Sequence, residues 1–153
     1  MSDPRIKPRV PKVNPEHPLA KGLVGAWAMQ DGGGPLARDA SGKYDGVIVS
    51  SPVWEKWRGG DALDFNGTTD YIQTDMTRSS WDEITVSAWF NIDSWFAVPG
   101  VYRYILDKGA LGGDFSVSLV STFNPGFQGV EARWGGGGWY NSVMASSTIK
   151  MVL

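Results

Sequence analysis

The 153-residue chain predicts an antiparallel all-β sandwich, and three features carry that expectation. Twenty glycines call for many tight turns. Short apolar runs recur between clusters of turn-forming residues at the spacing of a sandwich. No segment sustains a 3.6-residue apolar period, whereas several alternate with period two.

The elements follow in order. Residues 1–21 form a basic leader with prolines at 4, 8, 11, 15 and 18 and a net charge of +3. Proline at this density removes backbone donors and favours extended chain, so the leader is expected to be extended and to make few contacts. It is read either as a solvated tether or as an arm that docks on a neighbouring subunit. Residues 22–153 form the sandwich domain. Leu23–Met29 reads as its first strand, closed by Gly32-Gly33-Gly34-Pro35. Asp39–Gly46 is dense in turn formers, and Val47–Val49 is the next strand. Ala62–Phe65 and Tyr71–Thr74 read as a hairpin around Asn66-Gly67.

The clearest strand is Ile84–Ile92. Ile84, Val86, Ala88, Phe90 and Ile92 share one face, and Thr85, Ser87, Trp89 and Asn91 share the other. Tyr102–Leu106 and Phe115–Val120 follow as a pair, with Phe115, Val117 and Leu119 alternating with serines. Val130–Trp134 and then Trp139–Ala145 flank four glycines. This spacing predicts a buried set of Trp27, Phe65, Val86, Ala88, Phe90, Phe115 and Val117.

Composition narrows the functions. The net charge of -2 offers no electrostatic case for nucleic acid or an anionic membrane. There is no cysteine, hence no disulfide or thiol chemistry, and no apolar run long enough to span a bilayer. The leader lacks the apolar stretch of a secretory signal. The one histidine, His17, lies in the leader, which argues against a Ser-His-Asp arrangement and a closed zinc site. The glycine runs lack the lysine and helix start of a phosphate loop.

Three ordered stretches then resemble a known family. They are Gly22-Leu23-Val24-Gly25-Ala26-Trp27 with Asp39-Ala40-Ser41-Gly42 and Asp45-Gly46, then Ala62–Ile72 preceded by Trp54, and finally Ile84–Phe90 with Ile105–Gly109 and Phe115–Leu119. Together they resemble the laminin-G-like branch of the concanavalin A-like lectin/glucanase superfamily. The resemblance implies a jelly-roll of two curved antiparallel sheets, with binding on the concave face or in rim loops. The family usually continues with further closing strands after the position of Ile149. The chain is therefore expected to form an incomplete or short sandwich with an open edge among residues 114–149, prone to self-association.

Glucanases of this superfamily carry paired carboxylates on one strand, where acid and nucleophile flank the glycosidic bond. Here the glutamates stand at 16, 55, 83 and 131, too far apart to form that signature, so no enzyme is expected. Calcium is the metal the acidic loops could hold, with Asp39 and Asp45 as ligands and Asp70 as an outer choice. The alternative is that these aspartates cap turns. For a glycan, aromatic faces would stack on the sugar ring. Trp89 shares its face with Thr85, Ser87 and Asn91, and serves either in binding or in packing. Trp95 and the pair Trp139-Tyr140 lie in or beside loops, as do Trp57 and Trp81. The expected function is a non-catalytic module for a glycan or protein ligand, extracellular or on a phage virion. Competing readings are a structural or adhesive module that contacts protein, and a degenerate glycosidase relative.

Overall fold

The computed structural model describes residues 11–57, 60–76, 85–92, 102–108, 115–121 and 128–134. Its regular structure is mostly antiparallel strand. The chain divides into two compact units, Met1–Thr77 and Arg78–Leu153.

In the first unit, β1 (Leu36–Ala37), β2 (Gly46–Val49) and β5 (Tyr71–Gln73) form an antiparallel sheet in the order β1-β2-β5. The register sets Leu36, Val47, Val49, Tyr71 and Gln73 on one face, and Ala37, Gly46, Ile48 and Ile72 on the other. The second face is the covered one. Ala37 and Gly46 are buried and the two isoleucines half-buried. Gly46 is required there, because a Cβ would overlap the Ile72 Cγ2 that packs across it.

A separate two-stranded sheet pairs β3 (Val53–Trp57) with β4 (Gly60–Asp64). Its outer edge is closed by a side chain. The buried amide of Gln30 donates to the Asp61 carbonyl at 2.7 Å and accepts the Asp61 N–H at 3.1 Å. A carboxamide presents both donors and an acceptor, so it can stand in for a neighbouring strand.

Several expectations for this unit are corrected. Leu23–Met29 is not a strand; its ladder is reduced to a single bridge between Trp27 and Asp39. The Ala26 N–H goes to the Asp39 carboxylate, and Met29 turns the chain with a φ of 50°. Nor do Ala62–Phe65 and Tyr71–Thr74 form a hairpin: β4 pairs with β3, and β5 with β2. The Asn66 side-chain oxygen accepts the N–H groups of Thr68, Thr69 and Asp70, and the Asp70 carboxylate accepts those of Asn66 and Ser51. These side chains fold the segment into a loop that connects two sheets. Phe65, expected in the core, is 40% exposed because it lies just past β4, where the chain leaves its sheet. Trp27 is half-buried.

Residues 1–10 of the leader lie outside the described residues. Further on, Val13 donates its N–H to the Ala40 carbonyl at 3.0 Å. Pro18–Ala20 forms a 3-10 turn, so the prolines do not bar helical geometry altogether. Pro18 occupies the first helical position, where its missing N–H costs nothing, and His17 Nδ1 accepts the Leu19 N–H.

In the second unit, β6 (Tyr102–Lys108), β7 (Phe115–Ser121) and β8 (Gln128–Trp134) form an antiparallel sheet with β7 central. The β6–β7 register shifts between Tyr104 and Leu106. Val117 is buried, as expected, but so are Ser116 and Ser118 on the opposite face. The register places these short side chains beside Asp107 and Tyr104, which are longer. The expected one-sided burial of this strand is thus corrected. The burial of Phe115, and the segment Trp139–Ala145, fall outside what is described.

Residues 85–92 join no ladder, so the expected strand Ile84–Ile92 is absent over its described part. Its burial still alternates. Val86, Ala88 and Ile92 are half-buried, while Thr85, Ser87, Trp89 and Asn91 are exposed. Phe90, expected in the core, is 37% exposed.

The edge closure and the buried serine can each be checked by stability. Replacing Gln30 by Ala leaves the Asp61 N–H and carbonyl without their partner, and should lower unfolding free energy by about 1–3 kcal/mol in denaturant titration. Ser118 is fully buried and its Oγ has no hydrogen-bond partner. Ser118→Ala should therefore leave the midpoint unchanged or raise stability by about 1 kcal/mol, and a clear loss would count against this assignment.

Candidate ligand-binding sites

The loop that follows β1 is organised by one buried carboxylate. Asp39 Oδ1 accepts the N–H groups of Ala26 and Ser41, each at 2.8 Å. Its Oδ2 accepts the Ser41 hydroxyl at 2.5 Å and the N–H groups of Tyr44 at 3.0 Å and Lys43 at 3.2 Å. The Asp39 N–H in turn donates to Asp45 Oδ1 at 2.9 Å. Burial pushes the Asp39 carboxyl up, but the hydrogen bonds from Ser41, Ala26 and Tyr44 outweigh it and hold its pKa below 3.8.

Two further contacts lock the loop from outside. Trp27 Nε1 donates to the Tyr44 carbonyl at 2.8 Å, and Lys43 Nζ to the Leu23 carbonyl at 2.7 Å. The Trp27 ring folds back over Gly25, where any Cβ would overlap it.

Asp39 and Asp45, the candidate calcium ligands, are therefore brought together. A cation needs free oxygen lone pairs, and at Asp39 five N–H and O–H donors converge on them. The donor set around Asp39 is that of a carboxylate that builds a turn. Asp70, the outer choice, likewise bonds backbone amides. Among the described residues no three His, Cys, Asp or Glu side chains cluster where they could hold a metal ion.

Beside this loop lies an open cleft of about 460 Å³. Gly42, Lys43 and Asp45 contribute one part of its lining, Val47 of β2 another, and Gln73, Thr74 and Asp75 at the end of β5 the rest. Sequence reasoning missed the cleft, because only the β2–β5 register brings residues 43–47 and 73–75 together.

The aromatic candidates are placed differently. Trp89 is 77% exposed and belongs to the other unit. Trp95, Trp139 and Tyr140 lie outside the described residues. In the second unit, burial raises the pKa of Asp107 above 3.8. Among the described residues no helix is long and apolar enough to cross a membrane. No family model, curated protein or solved structure matches this chain.

The Asp39 hub makes stability pH-dependent. Its pKa is lowered on folding, so its contribution is complete above the unfolded value near 3.8 and fades as pH falls through the folded value. Asp107 has the opposite sign, since its raised pKa favours the folded state as pH falls. Asp39→Asn turns an acceptor into a donor facing N–H groups. It should cost about 2–3 kcal/mol at neutral pH and less at pH 3, read by denaturant melts at both.

Proposed function

We propose that the chain is a non-catalytic carbohydrate-binding module built on a concanavalin A-like, laminin-G-type jelly-roll sandwich, borne by an extracellular or virion particle. The observation that carries this reading is Trp89. Its indole is 77% exposed, on the same exposed side of residues 85–92 as Thr85, Ser87 and Asn91. An exposed indole offers a flat apolar face to the axial C–H groups of a pyranose, and neighbouring hydroxyl and amide groups can bond the sugar's hydroxyls. The antiparallel all-β architecture and the ordered sequence blocks support the fold assignment. The spacing of the glutamates supports recognition without hydrolysis.

A second reading is a structural module that binds protein. It draws on the open face of the β1-β2-β5 sheet, where Leu36, Val47 and Tyr71 are exposed.

Glycan-array screening of the purified chain, followed by titration of the best glycan, tests the first reading. Trp89→Ala should weaken binding by roughly 10-fold or more, as loss of an aromatic stacking contact of about 1.5 kcal/mol requires, and leave the melting midpoint unchanged. No glycan bound, or full affinity in the variant, would favour the second.

A further inference from the structure

The two-stranded β3–β4 sheet has two edges, and Gln30 seals only the one along β4. It bonds both the N–H and the carbonyl of Asp61, so these groups point away from β3. Asp61 stands opposite Lys56 in the register. In an antiparallel ladder, opposite residues either exchange both backbone bonds or turn both sets of groups outward. The N–H and carbonyl of Lys56 therefore point out of the opposite edge, and those of Trp54, two residues earlier, point the same way. Among the described residues no further strand lies beside this edge, and no backbone hydrogen bond from elsewhere reaches Trp54 or Lys56.

The face that flanks the open edge has a definite chemistry. The register sets Val53, Glu55 and Trp57 of β3 with Gly60, Ala62 and Asp64 of β4 on one side of the sheet. Val53 is 57% and Trp57 49% exposed, and Glu55 and Asp64 are exposed as well. This side carries two carboxylates and no basic residue. Lys56 lies on the other side, paired with Asp61.

An open edge takes up an extended chain as a further strand, with main-chain bonds for affinity and alternate side chains for selectivity. A residue of the incoming strand opposite Glu55 meets the carboxylate, and those two positions away meet Val53 and Trp57. A second copy of β3 suits this edge badly. The antiparallel register that overlaps the whole strand, with Val53 on Trp57 and Trp54 on Lys56, sets the two Glu55 side chains against each other. Like charges directly opposite are destabilising, and opposite charges are favoured.

We infer that the outer edge of β3 binds an extended segment of another protein as a third, antiparallel strand, through the N–H and carbonyl groups of Trp54 and Lys56. The central residue of that segment is basic and pairs with Glu55. The residues two positions to either side are apolar and pack on Val53 and Trp57. This surface belongs to the unit that does not carry Trp89, so it stands apart from the carbohydrate reading.

The probe is the end-capped peptide Thr-Val-Thr-Arg-Thr-Val-Thr, with a companion in which Glu replaces Arg. In a nitrogen-15 amide NMR titration at low salt, the Trp54 and Lys56 signals should shift with the Arg peptide and saturate. The Arg peptide should bind roughly 10-fold more tightly than the Glu peptide. Glu55→Lys, a substitution at an exposed position, should reverse that order. N-methylation of the two threonines beside the Arg removes the N–H groups that meet β3 and should abolish binding. N-methylation of the Arg, whose N–H points away from β3, should preserve it. Only the peptide differs between these two arms, so loss of the protein's fold does not mimic the result. Absence of saturable shifts at Trp54 and Lys56 up to millimolar peptide would overturn the proposal. Binding that survives methylation of the threonines would overturn strand addition. Equal affinity for the two peptides, or no reversal in Glu55→Lys, would overturn the basic residue opposite Glu55. A dimer in light scattering that the Arg peptide dissociates would place a second copy at the edge and overturn the choice of partner.

Discussion

The buried carboxylate of Asp39 is the constraint on which the first unit depends. A charged oxygen pair removed from water must find donors, and here the chain supplies them from both sides of one loop. Ala26 comes from the segment before β1, and Ser41, Lys43 and Tyr44 from the segment leading into β2. Satisfying one carboxylate thus fixes the path between two strands. It sets where Ala40 receives Val13, where Lys43 reaches Leu23, and where Asp45 joins the cleft.

The same device recurs. Asn66 and Asp70 gather the amides of the loop between β4 and β5, and Gln30 closes the edge of β4. In each case a polar side chain takes a backbone group that a neighbouring strand would otherwise have taken. Every backbone donor needs an acceptor, and a local side chain competes with the ladder for it. This competition explains why the described part of the first unit holds two small sheets joined by loops that side chains organise, and why Leu23–Met29 retains one bridge instead of a strand.

Burial and pairing are separate properties in this protein. Residues 85–92 keep the two-residue alternation of exposure without a ladder, and β7 has a ladder with buried residues on both faces. Alternation records which side of an extended chain is covered. A ladder requires in addition a neighbour whose hydrogen-bonding groups are free. The position of Trp89 on an exposed side follows from the first property alone.

Composition and local pattern were enough to determine the all-β class, the turn between Asp39 and Gly46, the strand at Val47–Val49 and the β6–β7 pair. Glycine and asparagine encode turns locally, and β-branched alternation encodes extended chain locally. The strand Val53–Trp57 escaped notice because Glu55 and Lys56 interrupt its apolar run; its pairing with β4 supplies what its own pattern lacks. Asp39 and Asp45 were visible as acidic loop residues, but the amides that Asp39 gathers were not. A carboxylate that binds a cation and one that gathers amides look identical in sequence, and only the folded loop shows which groups point at the oxygens. The cleft was wholly a product of tertiary structure, because it joins two separate stretches of chain through one strand register. Partner choice among strands depends on distant backbone groups, and no local pattern carries that information.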